Sequence, residues 1–340
     1  MKIIIDAFGG DNAPLEVIKG SIEAKKDFNA DICLVGDEEK IKKCAEQNSL
    51  NIKGLEIKHA PSVIEICDEP TEVIKSKSDC SMAVGLKMLA DGEGDAFVSA
   101  GSTGALVVGA TFIVKRIKGI KRAALATILP THSKPTMILD VGANADCRPE
   151  MLVQFAVMGS IYMNKIMSVN SPSVMLANIG EEPSKGRELE TETYKHLGLA
   201  PLNFKGNIEA RDIPKGKCDV VVTDGYTGNI ILKLYEGMGK FFSTELKEIL
   251  LGNFVSKIAA LMLLKKVNRF KKKMDYSEYG GAPLLGTAKP VIKAHGSSNA
   301  KAFYNAIRQA YKFTETNVIG EVSESLLKMK ENKSKIKIEE

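Results

Sequence analysis

The sequence predicts an α/β protein, an open and mostly parallel sheet with helices on both faces. Short aliphatic runs alternate with longer runs of helical spacing, the pattern of repeated strand–helix–strand units. Aromatic residues make up only 6% of the 340 positions and Trp is absent, so the core is aliphatic, as suits a parallel sheet covered on both sides. Five of the apolar runs end in small or polar residues, which is where open α/β sheets bind their ligands. No internal repeat or Pro/Ser-rich linker divides the chain. It reads as one α/β catalytic domain over residues 1–320, a helical insert at 253–281 and a Lys-rich tail at 321–340.

The elements follow in order. Lys2–Asp6 is a strand, and Pro14 opens a helix that runs to about Lys26. Asp31–Val35 and Gly54–His59 are strands on either side of a polar helix, Asp37–Asn48. A polar stretch, Pro61–Ser78, leads to a helix over Cys80–Leu89 and a strand over Asp95–Ser99. Gly101–Gly104 turns into an apolar helix. Arg122–Leu129 and Thr136–Val141 are close enough in sequence for a hairpin. Pro149–Met163 is helical, Ser173–Asn178 a strand and Arg187–His196 a helix. Gly206–Glu209 and Asp219–Thr223 are strands, Gly228–Phe242 and Asn299–Thr314 helices, and Glu321–Glu340 a frayed helical tail.

A composition of 44% hydrophobic and 26% charged residues excludes a disordered chain, a collagen-like fibre and a disulfide-held miniprotein. The net charge of +5 is uneven, because residues 251–340 carry 17 Lys and Arg against 8 Asp and Glu. That surplus points to an anionic partner for the C-terminal part, although not to nucleic acid. The six cysteines lack C-x-x-C spacing and the four histidines lack metal-like pairing, so no metal site is expected. Cys33, Cys80 and Cys218 read as buried thiols. The N-terminus lacks the apolar length of a signal peptide, and no run approaches the ~20 apolar residues of a membrane span. A reducing, cytoplasmic setting is expected.

The five strand ends carry the chemistry. They are Asp6-Ala-Phe-Gly9-Gly10-Asp11, Ser99-Ala-Gly101-Ser102-Thr103-Gly104, Asp140-Val-Gly-Ala-Asn144, Asn178-Ile-Gly-Glu-Glu182 and Thr223-Asp224-Gly-Tyr-Thr-Gly-Asn229. Glycine turns let backbone N–H groups approach an anion closely, so together they suggest a phosphate-binding cleft. A Ser or Thr N-cap explains the Ser99–Gly104 turn equally simply. Neither a P-loop nor a G-x-G-x-x-G fingerprint nor a G-x-S-x-G elbow occurs. His295 sits between a strand and a helix and is the functional candidate among the histidines, a structural hydrogen bond being the competing reading. Lys185 follows a strand end and could hold phosphate or an oxyanion, whereas exposure in a loop is the ordinary fate of a lysine.

Taken in order, these loops resemble the PlsX-type phosphate acyltransferases. Tyr279-Gly-Gly-Ala-Pro-Leu-Leu-Gly286 and Ile292-Lys-Ala-His-Gly-Ser-Ser298 agree as well, so the match covers about residues 1–315. Ser102 stands where the resemblance puts Asn. The resemblance implies the fold of isocitrate and isopropylmalate dehydrogenases and of phosphotransacetylases. It implies transfer of a long fatty acyl group from acyl carrier protein to inorganic phosphate, without a cofactor. The acyl phosphate would feed phospholipid synthesis through a membrane glycerol-phosphate acyltransferase. A homodimer is implied, with Lys185 and Asn229 as catalytic residues. Lys185 would steer phosphate, Asn229 would donate to the thioester oxygen, and the Gly9–Asp11 and Ser99–Gly104 loops would cradle phosphate. Asn144, Asn178 and Asp224 join the expected substrate loops.

The stretch 253–273 holds seven basic residues and no acid around an apolar centre, Ile258–Leu264. Phe254, Ile258, Leu261 and Met262 share one helical face, with Lys257, Lys265 and Lys266 nearby. Such a helix suits the anionic inner face of the cell membrane or the acidic carrier, and a core or dimer-interface helix is the plainer alternative. Three other readings are weaker. A short-chain phosphotransacetylase needs no basic apolar helix, a decarboxylating dehydrogenase needs an acidic metal cluster, and a lipid-binding regulator needs no row of polar loops.

Overall fold

Alternate residues of each aliphatic run leave the sheet on opposite faces, which divides the core into two layers. The computed structural model describes residues 1–274 and 280–339. In β1 (Lys2–Asp6), Ile3 and Ile5 enter one layer and Ile4 the other. The same alternation holds in β2 (Asp31–Gly36), β4 (Ala96–Ser99), β6 (Thr136–Leu139) and β9 (Val220–Val222). One layer is covered by α1 (Leu15–Asp27), α5 (Pro149–Lys165), α9 (Ala300–Glu315) and α10 (Val318–Glu339). The other is covered by α3 (Ser81–Asp91), α4 (Thr103–Gly109) and the base of α7 (Gly225–Leu251). The remaining helices are α2 (Glu38–Gln47), α6 (Glu188–Gly198) and α8 (Phe254–Met274).

The other strands are β3 (Glu56–His59), β5 (Ala124–Leu129), β7 (Ser173–Asn178), β8 (Asn203–Glu209), β10 (Ala282–Leu285) and β11 (Val291–Lys293). Together the described strands form one eleven-stranded sheet in the order β3-β2-β1-β4-β11-β10-β5-β6-β9-β7-β8. Both flanks are parallel. The centre is not, because β11–β10, β10–β5 and β5–β6 all pair antiparallel. Three reversals leave β6, β9, β7 and β8 running opposite to β3, β2, β1, β4 and β11. The predicted mostly parallel α/β sheet is therefore present, with the expected β5–β6 hairpin at the junction of two oppositely directed lobes.

Four details differ from the sequence reading. Helix α7 does not stop at Phe242 but continues to Leu251, and α8 returns beside it, so the two form a long helical hairpin. The polar stretch 61–78 contains a 3-10 turn, Pro70–Ile74, pinned by the fully buried Val73. The tail is helical, as expected, but it is not a separate element. It starts inside α10, where Val318, Val322 and Leu326 are buried against the α5 layer. Strand β10 was not read at all, since its four residues contain a proline and lie between glycines. Tyr279, which belongs to one of the quoted motifs, lies outside the described residues, as does the part of the insert at 275–279.

Candidate active site

Each lobe ends a strand in a buried aspartate that organises the loop after it. Asp6, at the end of β1, accepts hydrogen bonds from Ser81 Oγ at 2.6 Å and Ser99 Oγ at 2.7 Å. Ser99 Oγ in turn accepts from the Gly101 N–H at 3.0 Å. The β1 and β4 loops are thereby stacked closely, and a Cβ at Gly9 would fall 2.6 Å from Gly101 N and 2.7 Å from the Asp6 carboxylate. Asp140, just beyond β6, accepts from the backbone N–H groups of Leu125, Gly142, Ala143 and Asn144, at 2.7–3.2 Å. It also accepts from the Asn144 side chain at 2.8 Å. Burial pushes both carboxyls above the usual range, against the opposing pull of these hydrogen bonds.

Helix α7 is seated on the second of these loops. A Cβ at Gly228 would lie 1.9 Å from the Asp140 carbonyl, so only glycine permits that approach. Asp224 caps the helix, accepting from Thr227 N at 2.7 Å, and its other oxygen binds Arg187 at 2.8 Å. The Asn144 carbonyl accepts from Gly225 N at 2.8 Å. Asn178 closes its own loop by donating to the Lys185 carbonyl at 2.9 Å. The Lys185 side chain is exposed and lies over Gly180.

Between the lobes lies a hollow of about 370 Å³. From the first lobe it takes Thr103, Lys293, His295 and Gly296, and from the second Gly142, Asn229 and Lys233. Apolar floor comes from Leu125, Ile128 and Leu232. Lys293 is the most unusual group there, being only 8% exposed. Its ammonium donates to the carbonyls of Ala100, at 3.2 Å, and Ala294, which leaves the third N–H without a carbonyl among these bonds. Burial pulls its pKa down to about 8, opposed by the nearby negative charge of Asp6. Lys233 is exposed and pairs with Glu236 at 2.9 Å. His295 accepts from the Ser297 N–H at 3.2 Å through Nδ1, which places the proton of the neutral ring on Nε2. Burial also lowers the His295 pKa.

The hollow thus gathers Thr103, Asn229 and His295 from the residues picked out by sequence. Asp6, Ser99, Asn144, Asn178 and Asp224 hold loops together through the bonds given above. Gly9, Gly10, Asp11, Gly101, Ser102 and Gly104 form the turns beside it, with Asp11 N bonded to the Gly296 carbonyl at 2.8 Å. None of these, nor Lys185, lines the hollow itself. Lys293 and Lys233 were missed. The signal for Lys293 was a lysine ending an apolar strand, where a buried ammonium needs partners.

On the helical hairpin, Phe254, Ile258, Leu261 and Met262 are 78%, 47%, 71% and 83% exposed. Lys257, Lys265 and Lys266 are exposed beside them. Helix α7 adds exposed Phe241 and Phe242. No described helix is long and apolar enough to cross a membrane.

A family model described as fatty acid synthesis protein matches residues 1–321. The phosphate acyltransferase of Thermoanaerobacter pseudethanolicus is 48% identical over 330 residues, covering 97% of this chain and 98% of that protein. The phosphate acyltransferase of Bacillus licheniformis is 47% identical over 328 residues, covering 96% and 98%. Among solved structures, a phosphotransacetylase from Streptococcus pyogenes superposes with a TM-score of 0.64 at 19% identity, over 93% of this chain and 94% of that one. A putative 4-hydroxythreonine-4-phosphate dehydrogenase from Salmonella typhimurium gives 0.52 at 12% identity, over 92% and 98%. At such identities these two speak for the fold alone, which agrees with the phosphotransacetylase and dehydrogenase architecture that the family resemblance implied.

Proposed function

This chain belongs to the phosphate acyltransferase family and is an enzyme of acyl transfer in fatty acid synthesis, and we propose that it moves a long-chain acyl group from acyl carrier protein to inorganic phosphate. The reading is supported above all by the hollow between the lobes, where two lysines and an amide meet an apolar floor. A thioester brings its own leaving group and phosphate its own nucleophile, so positioning and charge stabilisation are the protein's share. A phosphate oxygen attacks the thioester carbonyl, the C–O bond forms, and the carbonyl oxygen becomes an oxyanion. Asn229 donates to that oxygen, the ammonium groups of Lys293 and Lys233 offset the charge inside the hollow, and Lys185, on the loop after β7 and outside the lining, steers phosphate toward it. Collapse of the intermediate breaks the C–S bond, and the thiolate leaves and takes up a proton.

The hairpin gives this reaction its setting in our proposal. Exposed Phe254, Leu261 and Met262 lie on an anionic membrane with Lys257, Lys265 and Lys266 on the phosphates, or receive the acidic carrier. The acyl phosphate is thereby released at the surface where a membrane glycerol-phosphate acyltransferase consumes it. A homodimer would cover part of the remaining apolar face of α7.

The test is a product assay with palmitoyl-acyl carrier protein and labelled phosphate. Label is expected in acyl phosphate, with Lys185→Ala and Asn229→Ala each reduced at least about 100-fold. Full turnover in Lys185→Ala would remove that residue from the mechanism. No acyl phosphate from carrier donors, but product from acetyl-coenzyme A, would favour a short-chain phosphotransacetylase.

A further inference from the structure

A second cavity, of about 450 Å³, opens beside the first. The two share Thr127, Leu232 and Glu236, so they form one continuous hollow. Its other walls are Leu129 and Pro130 at the end of β5, and Tyr235, Gly239, Lys240, Ser243 and Thr244 on α7. The lining positions of α7 fall at 229, 232, 233, 235, 236, 239, 240, 243 and 244, which is a single helical stripe. The stripe begins with polar groups at Asn229 and Lys233 and continues into Leu232, the Tyr235 ring, Gly239, Ser243 and Thr244, with the charged Glu236 and Lys240 beside them. Tyr235 spends its hydroxyl on the Pro130 carbonyl, so what it adds to the wall is its ring. At Gly239 the wall is hollowed out, since an added Cβ would meet no heavy atom within 4 Å.

We propose that this second cavity is the acyl-chain site, in which the hydrocarbon tail of the donor lies along α7 while its thioester sits beside Asn229. The inference rests on the acyl-transfer reading above. Continuity with the polar hollow carries it, because a chain attached to a carbonyl at Asn229 has this apolar trough as its extension. Length agrees. Fifteen residues from Asn229 to Thr244 span about 22 Å of helix, whereas one leaflet of a bilayer, which accommodates a long acyl chain, is about 15 Å of the ~30 Å hydrocarbon core. The volume lies in the range of about 300–1,000 Å³ for small-ligand sites.

Gly239→Phe fills the trough, and Gly237→Phe adds the same ring on the exposed side of the same helix. A Cβ at Gly237 likewise meets nothing within 4 Å, so neither change creates a clash at its root. Turnover is measured with hexanoyl- and palmitoyl-acyl carrier protein. The short-to-long ratio is expected to rise at least about tenfold in Gly239→Phe and to stay within about twofold in Gly237→Phe. An unchanged ratio in Gly239→Phe overturns the assignment. So does an equal loss with both donors, which would give the cavity to the carrier's thiol arm. Photolabelling of the wild-type protein with a diazirine-bearing palmitate provides a second readout, expected on 129–130 or 235–244. Label confined elsewhere overturns the proposal. Should the wild-type protein make no acyl phosphate with any donor, the acyl-transfer reading fails on its own, and the labelled segment still decides whether the cavity holds a hydrocarbon chain.

Discussion

Asp6 and Asp140 occupy matching places in the two lobes, and they hold their loops by different means. Asp6 accepts from the hydroxyls of Ser81 and Ser99, which rotate and both donate and accept, and from the backbone N–H of Phe8. Asp140 accepts from four backbone N–H groups, which only donate and are held in place by the chain, and from the Asn144 side chain. The first loop has partners that can reorient, and its lobe supplies Lys293 and His295 to the hollow. The second is fixed, and it seats α7 and with it Asn229. A reaction in which an anion must approach a carbonyl benefits from that division. In the proposed reaction one side would hold the carbonyl at Asn229 and the other would receive the phosphate.

Replacing the fixed carboxylate breaks the comparison most severely. Asp140→Asn turns an acceptor toward N–H donors that cannot reorient, and it should cost about 4 kcal/mol of stability. Thermal or urea unfolding measures it, and a loss below about 1 kcal/mol would show the loop to be as adaptable as its counterpart. Lys293→Met is next, with a loss of about 100-fold in kcat/KM for phosphate, or about 2.7 kcal/mol, and little change in fold. A pH profile sharpens this. Burial favours the neutral amine, so the ammonium is present below about pH 8 and is lost as pH rises through that value. Activity should fall along the same limb, in the field of Asp6, Asp11 and Lys233. Lys293→Arg should flatten the limb, because guanidinium does not titrate there. For stability the sign is opposite, since the unfolded lysine keeps its proton to the ordinary value of 10.5 and the folded one releases it first, so stability rises from about pH 8 to 10.5. The smallest effect is expected for Asp6→Asn, about 1 kcal/mol, because the serine hydroxyls turn to meet the amide. Equal costs for Asp6→Asn and Asp140→Asn would erase the distinction between the lobes.

Much of this was legible in the sequence, and the remainder was hidden for physical reasons. The aliphatic runs gave most strands, because a sheet buried on both faces leaves little room for other patterns. The turns at residues 6–11, 99–104 and 140–144 were recognisable by their glycines and polar residues. Which of their side chains face a ligand was not, since Asp6 inside a loop and Asp6 on a substrate call for the same residue type. Strand β10 escaped because a four-residue segment lying between glycines resembles a loop. The full length of α7 escaped because its outer half has apolar residues on several faces and no core to give them one period. Lys293 stood at the end of a short apolar run, and only the fold showed that both flanking strands bury it.

The middle of the sheet is supplied from near the end of the chain. Strands β4 and β5 are complete early, but β11 and β10, which lie between them, follow β5 by about 150 residues. At about 5–20 residues per second of synthesis, a nascent chain waits roughly 8 to 30 s with two half-sheets whose inner edges are bare. Such edges are templates for pairing with other chains. Lys293 sits on the closing strand, so the same event that seals the edges also delivers the buried cation, and a ribosome product shorter than this is both sticky and inert.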